Sequence, residues 1–419
     1  MSVNGATTSG ELRAHNRVRL LRAVHDGGAT STRSHLTREL RLARGTASVL
    51  VAGLAEDELL HEEPAQEHGR GRPTQVPGPH PRGPLALAAD VREDAWELAA
   101  CELGGRVTVL DVRPHDGTAE GALVPLGETI AAHTSRLGHR VIGVGVALAG
   151  PVRFGGLADI AHLGWRSVDV PALLGLPLRP AHGAGGGGAT LGNDTAFAAL
   201  AEARRGRLRD VRVGLHLHVD FDLGGVLVVD GRPLGGASGT GAEFGHMPLE
   251  GGDRPCMCGA TGCWGMDVGA NALLRHAGLE YGGGRGREQA ERVLATSEQA
   301  VAACAAALGR GVAALVNAHD PEVVTLSGHG PELAERAGET LLRACEPRLM
   351  AIRRDHPPRI EGSALGWRGA LLGAMESVFD VFLTPEGLGR WRDNHPDQGR
   401  DTPGRRNVTH STPKGDQPP

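Results

Sequence analysis

Lysine is almost missing from this sequence: Lys414 stands alone against 43 arginines in 419 residues. We read this as coding bias with no functional message. No run approaches 18 uninterrupted apolar residues, which on sequence grounds excludes a membrane-spanning helix and a membrane partner. The N-terminus has no apolar stretch followed by a small-residue cleavage site, so no secretory signal is expected and the chain reads as cytoplasmic. Six cysteines are too few and too unevenly placed for a disulfide framework. Three of them, Cys101, Cys304 and Cys345, stand singly in apolar or helical surroundings and read as small buried hydrophobes.

What is present fits two to three domains with a sizeable core. Apolar residues make up 40% and charged ones 22%, a globular balance. The net charge of −5 conceals an asymmetry. Up to Leu54, eight arginines face only Glu11, Asp26 and Glu39, whereas from Gly83 onward there are 33 basic and 40 acidic residues. A polyanionic partner such as double-stranded DNA would therefore meet the head.

Apolar spacing predicts helices over 11–26, from Thr32 to about Leu40, and from about Ala43, where Ala47, Leu50, Val51 and Leu54 share one face. Leu59-Leu60-His61 and Gln75-Val76 can pair as a hairpin around Gly69-Arg70-Gly71-Arg72-Pro73. Three short helices and a basic hairpin outline a winged helix-turn-helix. Arg44, Thr46 and Ser48 lie near the start of the third helix, where side chains reach bases or phosphates, and Arg70 and Arg72 form a finger suited to a narrow minor groove. Arg13, Arg17, Arg19 and Arg22 read as phosphate contacts or a solvated face. The body opens with strand-like runs at 85–91, 95–103 and 106–113, which short polar breaks mark as a meander, followed by a helix over about 126–137, a strand at 141–147 and a helix at 195–205. Strands at 211–219 and 226–229, a turn at Asp230-Gly231, helices at 299–318 and 333–345, and a strand at 323–326 complete a second set. Strands first and helices after, given twice, predict two α/β lobes. The expected division is 1–76 for the DNA-binding unit, 77–84 for a linker, 85–383 for the two-lobed body and 384–419 for a disordered tail rich in Arg, Asp, Pro, Thr and Gly.

His246, Cys256, Cys258 and Cys263 form the most specific constellation. Three thiolates and an imidazole complete a closed tetrahedral Zn²⁺ site of the structural kind, and Gly259 and Gly262 let the loop curl round the ion.

Gly241-Ala242-Glu243-Phe244-Gly245-His246, followed by Cys-x-Cys-Gly-x-x-Gly-Cys, resembles the signature of the ROK family of sugar-responsive repressors and sugar kinases. The likeness extends to the 145–152 run, Leu163-Gly164-Trp165, Asn193-Asp194, the 230–234 turn and the head, about residues 10–380 in all. It implies an actin-like (ribonuclease H-like) two-lobed ATPase body, usually dimeric or tetrameric, with the N-terminal winged helix-turn-helix marking the repressor branch. It assigns sugar contacts to Asn193, Asp194, Glu243 and His246, with Asp194 the general base in kinases. By the residues alone, Asn193-Asp194 is equally a helix cap.

The phosphate loops depart from the kinase pattern. Where Asp-x-Gly-x-Thr is expected the chain has Asp90-Val91-Arg92-Glu93-Asp94, and where Gly-Thr-Gly-x-Gly is expected it has Asp220-Phe221-Asp222-Leu223-Gly224. A carboxylate about 4 Å from a phosphate charge costs on the order of 4 kcal/mol at an effective dielectric near 20. Asp94, Asp220 and Asp222, standing where the patterns have Thr and two glycines, argue against ATP unless Arg92 or a metal compensates. The sequence thus reads as a kinase-inactive, sugar-responsive ROK regulator with Asp194 a vestigial base. The rivals are an ATP-dependent sugar kinase and a relative that only dimerises.

Overall fold

The first helix, α1 (Ser9–Asp26), buries Leu20, Leu21 and Val24 and ends where Gly28 takes φ +68°, a conformation that favours glycine. The computed structural model describes residues 9–65, 74–178, 188–249, 252–279 and 284–394. Thr32 caps α2 (Arg33–Glu39) through a bond from the His35 amide. The third helix, α3 (Arg44–Glu56), buries Ala47, Leu50, Val51 and Leu54, the face read from the sequence. Strands β1 (Leu60–Pro64) and β2 (Gln75–Pro79) pair antiparallel, with Leu60 opposite Pro79. Residues 77–79 of the expected linker therefore belong to the hairpin. A two-stranded ribbon has only edges, so prolines that cannot donate are tolerated there.

The body holds two five-stranded sheets of the same plan. In the first, β3 (Leu85–Val91), β4 (Ala95–Glu102) and β5 (Val107–Pro114) form the expected meander, and β6 (Val141–Leu148) lies parallel to β3. Helix α4 (Ala119–Leu137) leads from β5 to β6, and after β6 come a small sheet of β7 (Val152–Arg153), β8 (Leu157–Ala158) and β9 (Val168–Asp169) and then α5 (Val170–Leu174). Strand β10 (Ala189–Asn193) completes the sheet beside β6 and feeds α6 (Asp194–Arg205). In the second sheet β11 (Val213–Val219), β12 (Leu223–Val229) and β13 (Arg232–Pro233) repeat the meander. After α7 (Ala270–His276), α8 (Arg287–Thr296) and α9 (Glu298–His319), strand β14 (Val323–Gly328) adds parallel to β11. Helices α10 (Gly330–Cys345) and α11 (Ala351–Asp355) precede β15 (Arg359–Gly362), parallel to β14. The two predicted α/β lobes are these two sheets.

Helix α12 (Gly369–Phe382) returns to the first sheet and packs on α6, which lies on the second. The approach is close: a Cβ on Gly373 would stand 1.8 Å from the Phe197 carbonyl oxygen. The predicted disorder from residue 384 does not hold at its start. Thr384 caps α13 (Pro385–Asp393), and Leu388 and Trp391 are buried. Two apolar anchors outweigh a polar composition; residues 395–419 lie outside the described ones. Helix α4 begins at Ala119, ahead of Pro125, because Thr118 caps it and Ala119, Ala122, Leu123 and Leu126 all bury on its inner face. Helix α9 is long and apolar enough to cross a membrane, yet 67% of its most apolar window is buried in the core.

Candidate functional site

A cavity of about 780 Å³ lies between the two sheets where strand ends from both lobes converge. From the first lobe come Glu93, just past β3, and the N-terminus of α6. There the side chain of Asn193 accepts from the Ala196 amide at 3.0 Å, so the helix-cap reading holds for Asn193 while the residue also lines the cleft. The Asp194 carboxylate accepts from the Thr195 amide at 2.6 Å. From the second lobe come His218, Asp220 and Asp222 at the β11–β12 turn, then Glu243 and His246. The four sequence-derived sugar positions are thus brought together in one cavity.

Four buried carboxyls in and beside it, Asp90, Glu93, Asp194 and Glu243, are held above their ordinary pKa. Burial, against the pull of Arg92, pushes Asp90 up to about 7. Burial does the same to Asp194, with Asp220 adding to it, and to Glu243, with Asp194 adding to it. Glu93 is raised by burial and by the charges of Asp220 and Asp194.

The compensating cation on the phosphate side is one the sequence reading missed. Arg287, at the start of α8, donates from Nη1 to Asp220 Oδ1 at 2.9 Å and from Nη2 to Oδ2 at 3.3 Å. Its Nε stands 3.7 Å from Asp94 and its Nη2 3.9 Å from Glu93. The guanidinium also lies over the rings of Phe221 at 4.7 Å and Trp367 at 5.6 Å. Arg287 is 67 residues from Asp220 in the chain, and no local pattern marks it among 43 arginines.

Beside the cleft, the ligand atoms of His246, Cys256, Cys258 and Cys263 all lie within 4.8 Å of one another. His246 Nδ1 is 3.7 Å from Cys256 Sγ, and Cys258 Sγ is 3.7 Å from Cys263 Sγ. With metal–sulfur bonds of about 2.3 Å, a tetrahedron has edges of roughly 3.8 Å, so the donor set and its spacing fit a zinc-sized ion. Gly259 and Gly262 sit at φ +99° and +71°, as the curl requires. His246 Nε2 faces Glu243 Oε2 at 3.6 Å, the kind of carboxylate that orients a metal-bound imidazole. Cys101, Cys304 and Cys345 are buried free thiols, as expected.

In the head, Arg44, Thr46 and Ser48 are exposed in the N-terminal half of α3. Arg70 and Arg72 lie outside the described residues. Three of the other arginines are not a solvated face: Arg17 pairs with Asp57, Arg19 donates to the Leu40 carbonyl at 3.1 Å, and Arg22 reaches Asp380 of α12 at 2.6 Å.

Residues 107–380 match the model of the ROK family. The chain is 26% identical over 324 residues to a protein described as a putative xylose repressor from Caldicellulosiruptor sp. (strain Rt8B.4), covering 71% of this chain and 76% of that one. The crystal structure of a ROK family transcriptional regulator, a homologue of the E. coli MLC protein, superposes with a TM-score of 0.64 at 20% identity, over 92% of this chain and 100% of that one. A ROK family glucokinase from Streptomyces griseus, in complex with glucose and AMPPNP, superposes with a TM-score of 0.57 at 22% identity, over 71% of this chain and 99% of that one. The two superpositions establish the two-lobed, actin-like ROK fold.

Proposed function

The chain belongs to the ROK family, and from that premise we propose that it is a DNA-binding, sugar-responsive transcriptional regulator and not a kinase. The observation that carries this reading is α3 with its flank. The helix buries Ala47, Leu50, Val51 and Leu54 and presents Arg44, Thr46 and Ser48 outward on a basic head, the placement a recognition helix needs. The winged helix-turn-helix unit runs through β2 to Pro79, with Arg70 and Arg72 assigned to its wing, and the effector-binding body runs from β3 through α13. Likeness to a putative xylose repressor supports the same reading.

On the phosphate side of the cleft, the Arg287 fork on Asp220 fills with protein charge a region a kinase leaves to nucleotide phosphates. Asn193, Asp194, Glu243 and His246 hold the sugar effector between the lobes. A sugar switches the protein only through different affinities for two lobe arrangements. Zinc on His246, Cys256, Cys258 and Cys263 cross-links the loop that carries His246 to the cleft wall, a structural role.

Selection of bound sequences from a random DNA pool, with and without candidate sugars, tests the proposal. Enrichment of a motif whose recovery changes with one sugar is expected. The kinase reading is favoured by Asp194, which stays in the cleft; ADP release that depends on both a sugar and Asp194 would establish it instead.

A further inference from the structure

Where family kinases offer glycine backbone to phosphate, this cleft offers carboxylates. Six of them line the cavity against three arginines. Arg153 is engaged by Asp159 at 2.9 Å, and Arg166 donates to the Met257 carbonyl at 3.2 Å in the cysteine loop. Arg275 has Asp222 and Asp267 near it.

Two of the acidic side chains carry a buried oxygen without a hydrogen bond, Glu93 and Glu243, and Glu93 is the more enclosed. The Glu93 side chain is 8% exposed. Its Oε2 is buried and makes no hydrogen bond; the nearest cation, Arg287 Nη2, stands 3.9 Å away. Its Oε1 is 3.6 Å from His162 Nε2, and that nitrogen is itself buried without a hydrogen bond. A buried carboxylate left in this state is costly unless something binds it. The same corner already accommodates one cation of the protein's own. The guanidinium of Arg287 rests on Asp220 and against the faces of Phe221 and Trp367, an arrangement of anions and aromatic rings that selects positive charge.

We propose that the effector of this cleft is a cationic sugar, one carrying a free amine, whose ammonium group donates to Glu93 Oε2 while its hydroxyls meet Asn193, Asp194 and Glu243. The proposal rests on the reading of the cleft as an effector site. It inverts the charge preference of a phosphate-binding cleft. An ammonium at Glu93 gains a charge-assisted hydrogen bond, whereas a phosphate there meets Glu93, Asp194 and Asp220 together. Burial and these neighbours raise the pKa of the Glu93 carboxyl, so the arriving cation also drives a proton off it.

Calorimetry on the full chain compares glucose, glucosamine, 6-amino-6-deoxyglucose, N-acetylglucosamine and glucose 6-phosphate. At least one free-amine sugar is expected to bind tenfold or more tighter than glucose, about 1.4 kcal/mol. The acetylated and phosphorylated forms should bind no better than glucose. In Glu93→Gln the ratio of amino-sugar to glucose affinity should fall towards one. The N-acetyl comparison makes the same test without any variant. Equal affinity for glucose and both amines, or preference for the phosphate ester, overturns this inference and leaves the sugar-responsive reading standing. No heat from any of the five overturns both.

Discussion

Two residues at the entry to α3 occupy positions where a different side chain would serve the fold better. Arg41 adopts φ +54°, a left-handed conformation that glycine takes without penalty. Ala43 is the N-cap of α3 and supplies no side-chain acceptor. Arg41→Gly and Ala43→Ser should each raise stability by about 0.5–1 kcal/mol, read from thermal or urea melts. Asp194 makes the opposite point. Its carboxyl is raised to about 7, so between its unfolded value near 4 and that value the folded state holds a proton that the unfolded state releases. Stability contributed by this residue therefore falls as pH rises through that window and is level above it. Asp194→Asn should stabilise the ligand-free protein by about 1–2 kcal/mol at pH 8, with the gain vanishing near pH 4. A pH-independent gain would place the cause elsewhere.

Among the elements, α13 ties together parts of the chain far apart in sequence. Trp391 donates from Nε1 to the Asp57 carbonyl at 2.7 Å, just past α3, and its ring meets Phe382 at 6.1 Å and His139 at 5.6 Å. Trp391→Ala should cost about 3–5 kcal/mol, the range for a buried tryptophan, and truncation after Thr384 should lower the melting temperature in the same direction. For α3, Arg44→Ala should weaken DNA binding, and the binding of the parent should fall steeply with salt because phosphate contacts release counterions. Undiminished retention of the selected DNA by Arg44→Ala would remove α3 from the interface. In the cysteine loop, metal analysis should return about one zinc per chain, and Cys258→Ser should lower both the zinc content and the melting temperature.

At the scale of the whole molecule, head and body share one apolar core in which Leu20, Leu21 and Leu54 cluster with Ala86, Ala99, Met375 and Phe379. A buried polar latch accompanies it. His25 Nε2 donates to Glu376 Oε2 at 3.1 Å, Arg205 pairs with the other oxygen of Glu376, and His25 Nδ1 accepts from the Gly104 amide at 3.1 Å. These partners, the histidine hydrogen bond first among them, outweigh burial and hold Glu376 down at about 2. The stability it contributes is present above its unfolded value near 4.5 and is lost as pH falls towards 2. Glu376→Gln should flatten that acid limb. Glu376→Ala should cost about 3 kcal/mol or more by leaving Arg205 buried without its counter-charge, and should open the hairpin region to limited proteolysis. Helix α6 begins at Asn193-Asp194 in the cleft and ends at Arg204 and Arg205, which hold Asp380 and Glu376, so a single element joins the cleft to the latch.

The sequence alone determined the features that depend on near neighbours. Periodic apolar positions placed α1 to α3, the first meander and two strands of the second, because a helix face or strand face is written every three to four or every two residues. The spacing of Cys256, Cys258 and Cys263 placed the cysteine loop, because a curled glycine loop brings those thiols together wherever it sits in the fold. Asn193, Asp194, Glu243 and His246 were legible through family resemblance. Tertiary structure decided the rest. Arg287 becomes the partner of Asp220 only when α8 packs beside the β11–β12 turn, and His25 meets Glu376 across 351 residues. Helix α13 folds because α1 and α12 give Leu388 and Trp391 somewhere to bury, and α4 runs through Pro125 because its apolar face outweighs one missing donor. An isolated arginine or histidine carries no periodicity and no spacing. Its role is set by burial and by which charges the folded chain places within a few ångströms, and neither is written in its sequence neighbours.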